Sequence, residues 1–189
     1  LTQETIHAVY GIDVLVKTHP LTGKPYILPV YEHAPDHRPR KGVHVICGGG
    51  TGSDLLYALH REGFRLSTGV LNLLDTDYAT ATDLDIPCVS EAPFAAISPS
   101  ARDALVQRID AAHAVVVTAM PIGPGNIDNI RILKDCKDKL VILFCNGINP
   151  SFQDHTEGEA DTIIRELLDQ GAIKVDRVEE VLRLLKATD

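Results

Sequence analysis

Hydrophobic and polar positions change their pattern near residue 43. Ahead of that point the apolar residues form one short helical stretch and two alternating runs. Thr2 can cap a helix through Tyr10, and Gly11 is placed to end it. Ile12, Val14 and Val16 alternate with polar or outward positions, the period of a half-buried strand. Pro20-Leu21-Thr22-Gly23 has turn chemistry, and Tyr26–Val30 is the expected return strand. Pro25 and Pro29 lack a backbone donor, which suits an edge. One helix and a hairpin bury little apolar surface, so residues 1–31 need a neighbour to lean on. Residues 32–42, charged, proline-containing and poor in apolar groups, read as a linker.

From Val43 onward strand-like and helix-like runs alternate. Strands are expected at Val43–Gly48, Ser67–Leu73, Pro87–Glu91, Ala114–Ala119, Leu140–Cys145 and Ala172–Val175. Between them come a helix opening near Thr51 to Ser53 and continuing as Asp54–Arg61, and another at Thr76–Leu84. A third runs from a Ser98 or Ser100 cap to about Ala112, and a fourth covers Asn126–Cys136. The fifth opens at Thr156 or Glu157 and runs to about Gln170, where Gly171 stops it. The last is capped by Asp176 and runs through Lys186. Val115–Val117 and Leu140–Phe144 are continuous apolar runs, as in strands covered on both faces. The expected fold of residues 43–189 is therefore α/β: a Rossmann-like, doubly wound, mainly parallel sheet of five to six strands. Right-handed crossovers give the order 3-2-1-4-5, with the sixth strand at an edge.

That topology says where to look for chemistry. In an open doubly wound sheet, ligands bind past the carboxyl ends of the strands where the winding reverses, here between the first and fourth strands. Two glycine-rich loops face that point. Gly48, Gly49, Gly50, Thr51, Gly52 and Ser53 form one; Pro121, Ile122, Gly123, Pro124, Gly125 and Asn126 form the other. Each leads into an expected helix, whose first N–H groups and dipole favour a phosphate or carboxylate. Asn72 and Asp75 near the end of the second strand, Asn146 after the fifth, and Thr156 at the lip complete the candidate site. The expected ligand is a nucleotide or another small anion. NAD is disfavoured: the first loop fits G-x-G-x-x-G only with Ser53 in the third place, and Asp75 and Asp77 come slightly late for a ribose-binding acid. Tight packing between strand and helix is the competing explanation of such glycines, weakened because two such loops meet at one switch point, and a purely structural or oligomerisation module stays open. So does a Rossmann-type enzyme acting on a nucleotide or on imported cargo, with Asp75, Asp77 or Asn126 as its polar groups.

Composition narrows the remaining classes. A net charge of -8 argues against nucleic acid or an anionic membrane surface as partner. No apolar run approaches the ~20 residues of a membrane helix, and no secretory signal is visible. Cys47, Cys88, Cys136 and Cys145 lack metal or redox spacing and read as small packed residues. Pro35 and Pro39 interrupt any helix that would put His33 and His37 on one face, so no metal site is expected there; His44 and His113 read as packing residues. Asp154-His155-Thr156 reads as a helix cap or a polar lip. No G-x-x-x-x-G-K-[ST] loop and no G-x-S-x-G elbow occurs, so ATP hydrolysis by these residues alone is not expected and enzymatic activity stays open. The first residue is Leu1 and the one methionine is Met120, which points to a fragment or a processed chain.

Residues 1–30 resemble the C-terminal tail of ABC-transporter ATPases of the subgroup serving iron–siderophore, haem and cobalamin importers. The resemblance rests on Leu1-Thr2, Val9-Tyr10-Gly11, His19-Pro20, Thr22-Gly23 and Pro25. Residues 43–189 resemble an extra domain that some archaeal and bacterial members carry after the ATPase, through residues 43–78 and Pro121–Asn126. The resemblance implies a parent protein whose ATP-binding motifs lie upstream, which drives import together with membrane permease subunits. It places the parent in the cytoplasm at the inner face of the membrane. Residues 43–189 would be an accessory regulatory or ligand-sensing domain, with a homodimer as one arrangement.

Overall fold

The computed structural model describes residues 2–11, 13–18, 23–30, 40–136, 138–146 and 151–188. The chain divides into two compact units, Leu1–His37 and Arg38–Asp189. In the first, α1 (Gln3–Tyr10) is capped by Thr2, whose hydroxyl accepts the Thr5 N–H at 3.3 Å. Gly11, at φ +65°, ends the helix as expected of a left-handed cap. β1 (Asp13–Thr18) pairs antiparallel with β2 (Pro25–Val30), Asp13 opposite Val30. Ile6 and Val14 are buried while Val9 and Tyr10 are exposed. Ile12 and the turn residues His19–Thr22 lie outside the described residues, as do residues 32–39 of the expected linker, with His33 and His37.

The second unit runs β3 (Gly42–Ile46), α2 (Ser53–Arg61), β4 (Arg65–Asn72), α3 (Thr76–Asp83), β5 (Cys88–Glu91), α4 (Pro99–Ala111) and β6 (Ala114–Thr118). It continues through β7 (Pro121–Ile122), α5 (Asp128–Arg131), a 3₁₀ turn (Ile132–Asp135), β8 (Leu140–Phe144), β9 (Gln153–Asp154), α6 (Glu159–Asp169), β10 (Ile173–Val175) and α7 (Val178–Ala187). Six strands form one sheet in the order β10-β8-β6-β3-β4-β5, every neighbour parallel. This is the order read from the sequence, with β10 as the sixth strand at an edge. Strand alternation divides the core in two. Val115, Val117, Val141 and Leu143 pack with Leu105 of α4, Ile130 of α5 and Ile163 of α6. Ala114, Val116, Ile142 and Phe144 pack with Leu55 and Leu59 of α2, Ala81 of α3 and Leu185 of α7. The continuous apolar runs are thus strands with a helical layer on each face.

Local boundaries differ where side chains redirect the backbone. The helix expected over Asn126–Cys136 is one α-helical turn that tightens into the 3₁₀ turn. Asn126 belongs instead to a turn closed on Gly123: its own N–H and that of Ile127 bond the Gly123 carbonyl at 3.1 and 3.0 Å. α6 begins at Glu159, after Gly158 at φ +96°, rather than at Thr156 or Glu157. Asp176 does not cap α7; Arg177 holds that position without a side-chain cap. Pro121 and Ile122, expected in a loop, form β7 against β9.

Candidate functional site

β3 and β6 are neighbours at the centre of the sheet, so the loops leaving their carboxyl ends lie side by side. The Thr51 and Thr118 hydroxyls share a 2.6 Å hydrogen bond, and the Thr51 hydroxyl is also 2.8 Å from the Gly48 carbonyl. A Cβ on Gly48 would stand 3.5 Å from Met120 Sδ, and one on Gly49 would stand 3.8 Å from Pro121 Cδ. The first-loop glycines have different physical reasons. Gly49 and Gly50 carry φ of +66° and +78°, which only glycine adopts readily. Gly52 has an ordinary φ of -99°, but a Cβ there would fall 2.4 Å from Cys47 Cβ. α2 can begin this close to β3 only because Gly52 has no side chain.

The donors of this loop already hold carboxylates. Asp75 caps α3 by accepting the Asp77 N–H on Oδ1 at 2.9 Å, and its Oδ2 accepts the Gly49 N–H at 2.8 Å. Asp77 is fully buried. Both its oxygens lie 3.1 Å from the Gly52 nitrogen, and Oδ1 accepts the Ser53 hydroxyl at 2.7 Å. Thr80 donates in turn to Ser53 Oγ at 3.0 Å. Burial pushes the Asp77 carboxyl above the usual carboxylate range, opposed by the hydrogen bonds from Ser53 and Gly52 and reinforced by Asp75. Burial and the Asp77 charge push the Cys47 thiol well up, so it is no thiolate nucleophile. The start of α2 is therefore capped from within, and an anion arriving at Gly49–Ser53 meets like charge. Asp75 thus makes an Asx-type helix start, and the same carboxylate also reaches the first loop.

The second loop is closed by its own asparagine. Asn126 accepts the Gly123 N–H at 2.8 Å and donates to the Pro121 carbonyl at 2.9 Å. Gly123 and Gly125 have no positive φ. A Cβ on Gly125 would meet nothing within 4 Å, and one on Gly123 would meet only His155 Cβ, at 4.0 Å. The His155 N–H donates to the Ile122 carbonyl at 2.8 Å, which brings Asp154-His155-Thr156 alongside. Thr156 is a capping residue: its hydroxyl donates to Asp154 Oδ1 at 2.6 Å and accepts the Ala160 N–H at 2.9 Å. The Thr156 hydroxyl and N–H hold the Asp154 carboxyl below its usual range. Asn72 ends β4, exposed, and its carbonyl accepts the Asp75 N–H at 2.9 Å. Asn146 follows β8, half-buried, and Gly147 lies outside the described residues.

Two participants escaped the sequence reading. Thr118, the polar end of a buried apolar run, links the loops. Asn129, buried one turn after the second loop, accepts the Val70 N–H at 2.8 Å and donates to the Val70 carbonyl at 3.0 Å. It pairs with β4 as a neighbouring strand would, where the register to β5 shifts between Thr68 and Leu71. Thr118 had a legible signal, a hydroxyl at the carboxyl end of a central strand; Asn129 had none. His44 is fully buried on Ser67 Oγ at 2.9 Å and the Gly69 carbonyl oxygen at 3.2 Å. Burial lowers its pKa to about 4, which makes it a neutral packing residue. Among the described residues no group of three or more His, Cys, Asp or Glu could hold a metal ion. No helix among them is long and apolar enough to cross a membrane.

The Arg38–Asp189 unit is thus a doubly wound α/β domain with two glycine-rich loops side by side at its switch point. Residues 66–182 match the MJ0874 family, and the chain belongs to that family. It is also similar to the cobalamin import ATP-binding protein BtuD from two strains of Halobacterium salinarum, R1 and NRC-1. Each is 32% identical over 131 residues, covering 69% of this chain and 32% of the relative. The chain therefore spans about a third of the length of the curated relatives it matches.

Proposed function

We propose that residues 43–189 are the accessory, ligand-sensing domain of an ABC importer ATP-binding protein for cobalamin or iron chelates. Residues 1–31 would be the tail of the ATPase domain, and residues 32–42 would transmit the ligand's effect to it. Support comes from the similarity to cobalamin import ATP-binding proteins together with the tail-like residues 1–30. The proposed ligand lies over the carboxyl ends of β3 and β6 and carries both hydroxyl groups and an anionic part, as a nucleotide does. Asp75, half-buried beside Gly49, suits hydroxyl donors. The Gly125 backbone, bare of any side chain, would take the anionic part, since Pro121 and Pro124 have no N–H and the Gly123 N–H is held by Asn126.

The observation carrying this reading is the open space over Gly125 and Gly123, where neither φ nor packing asks for glycine. A backbone left bare in that way admits close approach of a ligand. The test is calorimetric titration and thermal shift of the full chain with cyanocobalamin, a ferric siderophore, AMP and ATP. Saturating ligand is expected to stabilise the fold by roughly 2–3 kcal/mol. Gly125→Val should abolish that gain while leaving unliganded melting unchanged. No binding by any of the four compounds, or equal binding by Gly125→Val, overturns the reading.

A further inference from the structure

We infer that the β5 edge of the sheet is a self-association surface, in which Phe94 of each copy enters the groove between β5 and α4 of the other. β5 stands at one end of the strand order, with β4 as its neighbour in the sheet. The Thr68 N–H bonds the Pro87 carbonyl at 3.0 Å and the Leu73 N–H bonds the Glu91 carbonyl at 3.1 Å. Alternation along the strand then turns the peptide groups of Cys88 and Ser90 to the open edge. Such a row is a template for another strand unless something covers it. Beside it lies a groove of about 550 Å³, with Val89 in its lining, Ala104 and Ala111 on the α4 side, and Arg108 alongside. The two alanines leave room that larger side chains would fill.

A knob stands on the same edge. Phe94, three residues past β5, is 98% exposed and sits at φ +62°, a left-handed backbone unusual for a bulky residue. Leu74, in the loop that the Leu73–Glu91 bond holds beside β5, is 78% exposed. Among the described residues nothing covers this ring on its strained backbone; an interface would.

Knob and hole on one face of one chain meet the requirement of a two-fold contact, which must be complementary to itself. The geometry agrees. α4 leads from the carboxyl end of β5 back to the start of β6, so Arg108 and Ala111 flank the amino end of β5, while Phe94 lies beyond its carboxyl end. A two-fold axis across β5 sets the edges antiparallel and carries each ring toward the opposite Arg108. A guanidinium there suits the face of a phenyl ring. The net charge of -8 disfavours an anionic membrane as the occupant.

Sedimentation velocity of the full chain over a range of concentrations tests this. A concentration-dependent dimer is expected. Phe94→Gly suits the left-handed backbone, and Ala104→Glu keeps the helix while filling the groove with charge. Each should weaken dimerisation by about tenfold or more with circular dichroism and melting still those of a folded domain. A monomer at every concentration, or a dimer equally tight in both variants, overturns the inference. So does binding to anionic vesicles that Phe94→Gly abolishes, because the edge would then belong to a lipid surface.

Discussion

The first loop spends its glycines on structure: Gly49 and Gly50 hold left-handed backbone, and Gly52 lets α2 start against Cys47. In the second loop Gly123 and Gly125 do neither. The donors differ as well. Gly49 and Gly52 give their N–H groups to Asp75 and Asp77, carboxylates that arrive from the end of β4 and the start of α3. The Gly123 N–H stays within its own loop, on Asn126. Two glycine-rich segments that look alike in sequence therefore differ in what each can offer a ligand. The first is a rigid wall with an acidic rim, and the second is bare backbone in open space.

The sharpest break of this comparison is Gly52→Ala. A Cβ at 2.4 Å from Cys47 Cβ cannot be relieved by a rotamer change. The expected loss is roughly 3 kcal/mol, at the top of the range for overpacking, read by urea denaturation. Acid should act on the same region with similar size. His44, in the strand that feeds the first loop, has its pKa depressed from the ordinary 6.5 to about 4. The unfolded chain binds that proton first. The His44 contribution is thus full above pH 6.5 and lost as pH falls towards about 4. The depression is worth roughly 3 kcal/mol over that window. Measuring stability against pH for wild type and His44→Gln isolates it, and parallel curves would refute the assignment.

Asp77→Ala comes next. It strands the Gly52 N–H and the Ser53 hydroxyl, and about 2 kcal/mol of stability should go with them. The loss is tempered because a buried carboxylate beside Asp75 is removed at the same time. Asp77→Asn, which keeps an acceptor, should lose less. The smallest effect is expected in the second loop. Gly125→Ala should change the unliganded melting free energy by about 0.5 kcal/mol or less, in either direction, because the added methyl meets nothing. A large loss there would erase the distinction between the loops.

Much of the fold was legible because it repeats locally. Val115–Val117 and Leu140–Phe144 announced buried strands, and Thr2 and Ser98 were readable as caps, each accepting an N–H three residues on. Less was legible at the two loops. Asp75 could be read as a helix start, yet its second oxygen reaches a glycine 26 residues away, which no spacing rule foretells. The turn that takes Asn126 out of its expected helix was equally hidden. Its side chain accepts the Gly123 N–H and so closes a turn ahead of the helix, and the sequence does not say whether turn or helix will prevail at Asn126.

Period, punctuation and missing motifs belong to the sequence alone. They set the alternation of strands and helices, the parallel sheet, its strand order and the lack of a phosphate-binding lysine loop in these residues. All of them depend on neighbours a few residues apart. Which glycine is bare, which donor is already taken, and which ring is left in water were decided only when the sheet closed. Those outcomes depend on how β3, β4 and β6 stand in register, and a shift of one residue in a strand turns every side chain to the other face. The same six-residue stretch of glycine and hydroxyl groups could have been an anion cradle. Tertiary structure brought Asp75 and Asp77 to it and made it a wall.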